Sequence, residues 1–193
     1  MIPMRLVAGL VASVAGALTI AGFVSEPAGA EVQKIMQVCN EKLCPSFTLV
    51  LTPPTDWDLD KAASEENRVQ MLIPRGLNFH DARAVIYIRV SAKDKNQPLS
   101  DFIRVSQERW RQAVTDTKIS KLPPVERGNG KAAFEPFRYE NPSRPQQPFE
   151  LVAFGTDTDK DGNDFILTVV MSGKDQKAIE QAQDSYLELL RRH

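Results

Sequence analysis

Phe47, Leu49 and Leu51 alternate with Thr48, Val50 and Thr52. A two-residue period places the first three side chains on one face of a strand. Pro53 and Pro54 stop it, because proline offers no amide to a ladder. Val69, Met71 and Ile73 repeat the period and run into Pro74 and Gly76, a stop and a turn. Ala84–Val90 is apolar on both parities over most of its length. That pattern predicts a central strand covered on both sides.

The period then lengthens. Leu99, Phe102, Ile103, Ser106, Trp110, Ala113 and Val114 recur at intervals of three and four, which predicts an amphipathic helix. Ser100 is its expected N-cap and Thr117 lies near its expected end. Pro123-Pro124 and Gly128-Asn129-Gly130 mark a loop. Further strands are predicted over Ala132–Tyr139, Phe149–Phe154 and Phe165–Met171, with Pro136 suggesting a bulge or an edge. Asn141–Pro148, rich in proline, joins the first two as an extended loop. Asp175 is expected to cap a last helix with a buried stripe of Ile179, Ala182, Tyr186, Leu189 and Leu190. Arg191 and Arg192 complement the negative end of its dipole. The order is βββαβββα. Short links between consecutive strands favour antiparallel pairing. The expected class is therefore α+β: one twisted, mainly antiparallel sheet with helices packed on it, an α/β/α sandwich without repeats or a second domain.

Residues 1–30 stand apart from this pattern. Arg5 precedes an apolar, small-residue run from Leu6 to Phe23, and Pro27 precedes Ala28-Gly29-Ala30. A positive start, an apolar stretch and an A-x-A site read as a secretory signal peptide, with Glu31 as the mature start. The run is also about long enough to span a bilayer; its glycine and alanine content and the cleavage site favour the signal. The expected location is periplasmic or secreted. Nothing later in the chain is long and apolar enough for a span, so no membrane span is expected after cleavage.

The formal net charge of the 193-residue chain is −1. Removing residues 1–30 removes one arginine, Arg5, and one acid, Glu26, so the balance is unchanged. Such balance gives no electrostatic case for nucleic acid. Cys39 and Cys44 are the two cysteines. In an exported chain they are expected to form a disulfide that staples the N-terminal segment, residues 31–45, ahead of a single domain over 46–193. The C-x4-C spacing lacks the C-x-x-C of oxidoreductases, and no second ligand pair exists for a zinc site.

The stretches "SFTLVLTPPTDW" and "LIPRGLNFHDARAVIYIRV" together resemble the start of a PsbP-like domain. The likeness lies in the strand ending in prolines, the tryptophan just after, and the P-x-G turn before a central strand. Relatives often carry glycine before the tryptophan; here Asp56 precedes Trp57. The resemblance implies an α/β/α sandwich that binds partners and has no shared catalytic set. The fold is also that of the extrinsic photosystem II protein and of a eukaryotic Ran-binding transport protein, whose partners do not transfer with a fold.

"GTDTDKDGND", Gly155–Asp164, admits two readings. Asp157, Asp159 and Asp161 occupy positions 1, 3 and 5 of a D-x-D-x-D-G pattern, with Asn163 at position 7, so they can converge on calcium. Thr168 stands where an EF-hand needs a bidentate glutamate, and a strand follows where a helix should, so an EF-hand is excluded. The other reading is the solvated tip of a hairpin turned at Asp161-Gly162, a favoured type I′ pair. His80 beside Asp81 has no nucleophile to serve and reads as a loop histidine. His193 is expected to fray. Trp57 and His80 are the expected partner contacts, and Trp110 is core. The expected function is an exported, non-enzymatic binding module contacting a protein or a small ligand. The alternative is a small exported acidic-residue hydrolase, with calcium as its candidate support, which requires carboxylates such as Glu135, Glu140 and Glu150 to converge in a cleft.

Overall fold

The computed structural model describes residues 31–39 and 42–193. The expected signal peptide, residues 1–30, lies outside them. A two-stranded antiparallel hairpin comes first, β1 (Glu31–Cys39) with β2 (Lys42–Val50). The main body follows as β3 (Trp57–Leu59), α1 (Lys61–Asn67), β4 (Gln70–Pro74), β5 (Ala84–Ala92), α2 (Leu99–Ala113), β6 (Lys118–Lys121), β7 (Glu135–Glu140), β8 (Phe149–Thr158), β9 (Asp164–Gly173) and α3 (Gln176–Arg192). Its seven strands lie in the order β3-β4-β5-β9-β8-β7-β6, and every neighbouring pair is antiparallel. The class is α+β, as the periodicities predict.

Strand parity sorts the side chains into two cores. Leu72, Ile86, Ala153, Leu167, Val169 and Met171 face α3, which answers with Ile179, Ala182, Tyr186, Leu189 and Leu190. The predicted stripe of the last helix is thus the buried one, and Asp175 caps it by accepting the Ala178 amide at 2.8 Å. Each fully buried leucine or phenylalanine of this layer contributes about 1.5–3 kcal/mol over exposure. The Tyr186 hydroxyl donates to the Val169 carbonyl at 2.9 Å, so its burial leaves no polar atom wanting. On the other face, Ile103, Phe102 and Trp110 of α2 pack on Phe137, Tyr139, Val152, Phe154 and Val170. Ala63 of α1 packs on Met71, Ile73 and Val85.

Several expected boundaries differ. The strand expected over 47–52 begins at Lys42 and ends at Val50, because its partner β1 extends it backwards. Leu49 is nonetheless buried on the core, with Phe47 and Leu51 beside it. The Gln70 side chain extends the attachment: its Oε1 accepts the Leu49 amide at 2.8 Å and its Nε2 donates to the Leu49 carbonyl at 2.7 Å. α2 starts one residue before Ser100, after Pro98, with no side-chain cap, and ends at Ala113 rather than near Thr117. Pro136 lies within β7 without a bulge, in register with Ala153. β6 pairs only as far as Phe137, so the missing amide breaks no ladder bond there, and the Pro136 carbonyl accepts the Leu122 amide at 2.9 Å. Asp56 has φ 66°. The left-handed backbone that this turn needs is the conformation glycine adopts most freely, and aspartate tolerates it.

Gly155 is a steric requirement of β8. A Cβ there would stand 2.6 Å from Cε1 of the fully buried Phe134 ring. Gly155→Ala is expected to cost about 1–3 kcal/mol through overpacking. Urea unfolding should show a lower midpoint at unchanged slope; an unshifted midpoint would mean that the ring yields freely.

A candidate ligand-binding groove

Register brings polar groups together on the face that α2 crosses. Across β5, β9, β8 and β7, one rung reads Val85, Ser172, Glu150 and Tyr139; the next reads Tyr87, Val170, Val152 and Phe137. A third carries Arg89, Thr168 and Phe154. Phe102, Val105, Ser106 and Arg109 recur at helical spacing on α2 and turn one face toward these rungs. Between helix and sheet lies a cavity of about 600 Å³, bordered by those four residues and by Tyr87, Arg89, Trp110, Tyr139, Glu150 and Thr168.

Glu150 is 2 % exposed. Burial pushes its carboxyl up to about 7, while Arg144 and hydrogen bonds from Tyr87 and Asn141 act against that rise. The Tyr87 hydroxyl donates to Oε1 at 3.3 Å, and Asn141 Nδ2 donates to Oε2 at 3.4 Å. Burial also raises both phenols, Tyr87 above its ordinary range and Tyr139 to about 12. Asn141 is completely buried. Its Oδ1 accepts Trp110 Nε1 at 3.1 Å and the Thr117 hydroxyl, and its Nδ2 also reaches the Gln147 carbonyl at 3.3 Å. One amide therefore fixes α2, the proline-rich loop and the carboxylate. The Arg144 guanidinium stacks on Trp110, 5.1 Å from the ring centre.

The three glutamates considered for acid chemistry do not converge. Glu135 forms an ion pair with Lys121 at 2.8 Å, and Glu140 has the parity of the opposite sheet face. Among the described residues Glu150 is the one carboxylate that borders the groove. Near neutral pH it exists in both protonation states, and so can accept or donate a hydrogen bond.

The aspartates of the 155–164 stretch part company. Asp157 belongs to β8, and its side chain is 4 % exposed. It pairs with Arg127 Nη2 at 3.3 Å and Lys131 Nζ at 2.8 Å. Asp159 turns back on its own loop: Oδ1 accepts the Asp161 amide at 2.9 Å and the Asn163 amide at 2.8 Å, and Asn163 Nδ2 donates to Oδ2 at 2.9 Å. Asn163 holds the Asp159 carboxyl below its usual range. Asp161 is exposed at the tip. Among the described residues no group of three or more acidic, histidine or cysteine side chains is arranged to hold a metal. The turn itself is not the expected type I′. Only Gly162 has positive φ, 80°, and its amide bonds to the Asp159 carbonyl at 3.1 Å while the Asp159 amide bonds to the Asn163 carbonyl at 3.0 Å. That is a tight turn closed by a left-handed glycine.

Trp57 is 6 % exposed and belongs to the α3-side core, so it closes the core's edge rather than presenting its ring to a partner. His80 is exposed; its amide donates to Asn78 Oδ1 at 2.9 Å and its carbonyl accepts Lys174 Nζ at 2.9 Å, the local bonding expected of a loop histidine. His193 does not fray. It is buried, and burial lowers its imidazole to about 4, opposed by the Thr52 backbone. Cys44 stands opposite Gln37, and Cys39 opposite Lys42, on the two strands of the hairpin. The Cys39 side chain lies outside what the structure describes.

The groove was partly legible. A glutamate inside the apolar run of 149–154 is a charge in a strand with two covered faces. Its meeting with Tyr87 needs a register running across β9, for which the sequence carries no local signal. No protein-family model matches the chain, and no curated protein matches it in sequence.

Proposed function

We propose that the chain is an exported binding module, PsbP-like in kind, that leaves its signal peptide at Ala30 and holds a small ligand between α2 and the sheet. The observation that carries this reading is the cavity of about 600 Å³ with buried Glu150 at its edge. Its size suits a small organic ligand, and its lining mixes aromatic walls with charged and hydroxyl-bearing side chains. Binding is favoured over hydrolysis because, among the described residues, a second carboxylate does not line the groove with Glu150.

Trp110 borders the groove and Trp57 does not. Trp57→Phe therefore leaves Trp110 as the single tryptophan, whose emission reports occupancy. The protein beginning at Glu31, isolated from its native envelope, is expected to carry a bound small molecule detectable by native mass spectrometry. Adding that molecule back to stripped protein should change Trp110 emission and raise the melting temperature by mass action. A protein that emerges empty, and whose emission no member of a chemically broad library alters, sinks the reading.

Calcium at the β8–β9 turn is a separate proposal, now resting on Asp159, Asp161 and Asn163. Millimolar calcium against excess chelator is expected to separate the melts by a few degrees, corresponding to about 1–2 kcal/mol for a weak site. Coincident melts, unchanged by Asp159→Asn, end it.

A further inference from the structure

We propose that the groove's ligand is an aromatic carboxylate with a hydrogen-bonding group at its far end. Arg89 and Arg109 hold the carboxylate, and Tyr87 with Glu150 takes the far group. This deepens the groove reading and depends on it.

Charge gives the sign of the ligand. Arg104, on the solvent side of α2, is neutralised by Glu108 at 3.0 Å. Arg109 borders the groove, as does Arg89 from β5, and among the described residues neither has a carboxylate within ion-pair distance. Two unneutralised guanidinium forks at one cavity form a cationic mouth suited to a planar oxyanion. Arg144, stacked on Trp110, adds to the positive field around Glu150.

The walls give its shape. Tyr87, Phe102, Trp110 and Tyr139 border the cavity, with Val105, Val152 and Val170 between them. Aromatic rings pack well against such faces. The layout also has two polar ends. Glu150 shares its rung with Val85, and Arg89 lies four residues further along β5, about 13 Å at the rise of a strand. The reach of the arginine and tyrosine side chains shortens that span to a ring plus a short arm. At the inner end Glu150 accepts two long hydrogen bonds, 3.3 and 3.4 Å, which leaves acceptor capacity on its carboxylate. A phenolic hydroxyl meets that need; a plain alkyl tail would leave it unmet.

The test uses 4-hydroxycinnamate as the probe, on residues 31–193 carrying Trp57→Phe. Comparison compounds are its methyl ester, cinnamate, and dodecanoate. Calorimetric titration is expected to show the hydroxy acid binding most tightly. The ester should be weaker by at least about tenfold, the loss expected when a charged hydrogen-bonding group is removed. Cinnamate should be weaker by about threefold or more. Arg89→Gln and Arg109→Gln should each weaken the acid at least about fivefold and leave the ester unaffected, with melting temperatures unchanged because both side chains are exposed. Equal binding of acid and ester, or a preference for dodecanoate, overturns the aromatic-carboxylate assignment while a Trp110 response keeps the groove as a site. Silence from all four compounds also overturns the assignment; recovery of a different native ligand at Trp110 would still uphold the groove.

Discussion

Arg127→Met is expected to destabilise the protein by about 3 kcal/mol, the lower end of what breaking a buried ion pair costs, since Lys131 remains beside Asp157. The guanidinium is completely enclosed. Nη1 donates to the Thr156 carbonyl at 2.7 Å and more weakly to the Ala132 carbonyl at 3.4 Å; Nη2 reaches Asp157 and the main-chain oxygen of His193. Its plane lies over the Phe134 ring, 4.7 Å from the centre. One side chain thus joins the loop after β6, the end of β8 and the end of α3. Burial lowers its tendency to hold a proton, and Asp157 offsets part of that fall. Methionine would fill the volume but take the enclosed cation from the Asp157 carboxylate, leaving it Lys131 Nζ at 2.8 Å and the Thr158 amide at 2.9 Å. Urea unfolding at neutral pH measures the loss. Arg127→Met combined with Asp157→Leu should recover part of it, because the buried carboxylate that lost its enclosed cation has gone. A single-variant loss below about 1 kcal/mol would show that the enclosed pair matters little.

Glu150→Gln should act in the opposite direction and depend on pH. The carboxyl has a value of 4.5 when solvated and about 7 in the fold. Between those values the folded state binds more protons than the unfolded state, so stability falls as pH rises. The contribution is full below about 4.5 and lost through about 7. A shift of this size corresponds to about 3 kcal/mol. Glutamine resembles the protonated acid and cannot ionise. The variant should therefore be more stable than the parent by up to about 3 kcal/mol at pH 8, and close to it near pH 4.5. His193 runs the other way: its depressed value, about 4 against 6.5, removes stability as pH falls through that window. Comparing parent and variant at each pH cancels the histidine. A gain of equal size at both pH values would show that Glu150 is not the titrating group.

The fold was legible wherever burial imposes a period. α3 and its cap, the centre of α2, and the strands on either side of β9 all carry that imprint. Elements with little buried surface do not. α1 is seven residues with one buried side chain, Ala63, and stands on the Asp60 cap and a bond from the Ser64 hydroxyl to the Asp60 carbonyl. β6 reads Lys-Ile-Ser-Lys with a single apolar residue. β1 carries Val32, Ile35, Met36 and Val38, which alternate poorly; it is a strand because β2 lies beside it. The site was harder for a related reason. Asp157 looks like a member of its loop because three aspartates share a spacing. The strand continues to Thr158, however, and delivers Asp157 to an arginine thirty positions upstream. A partner that distant leaves no trace in local spacing.

The order of strands has a consequence for how the molecule comes into being. β9 sits between β5 and β8 and is the last strand in the chain. A polypeptide emerging from its N-terminal end holds two half-sheets with raw inner edges until Asp164–Gly173 is available, and α3 follows that. Closure must therefore wait for nearly the whole chain. Until then the inner edges of β5 and β8 stay open to pairing with other chains.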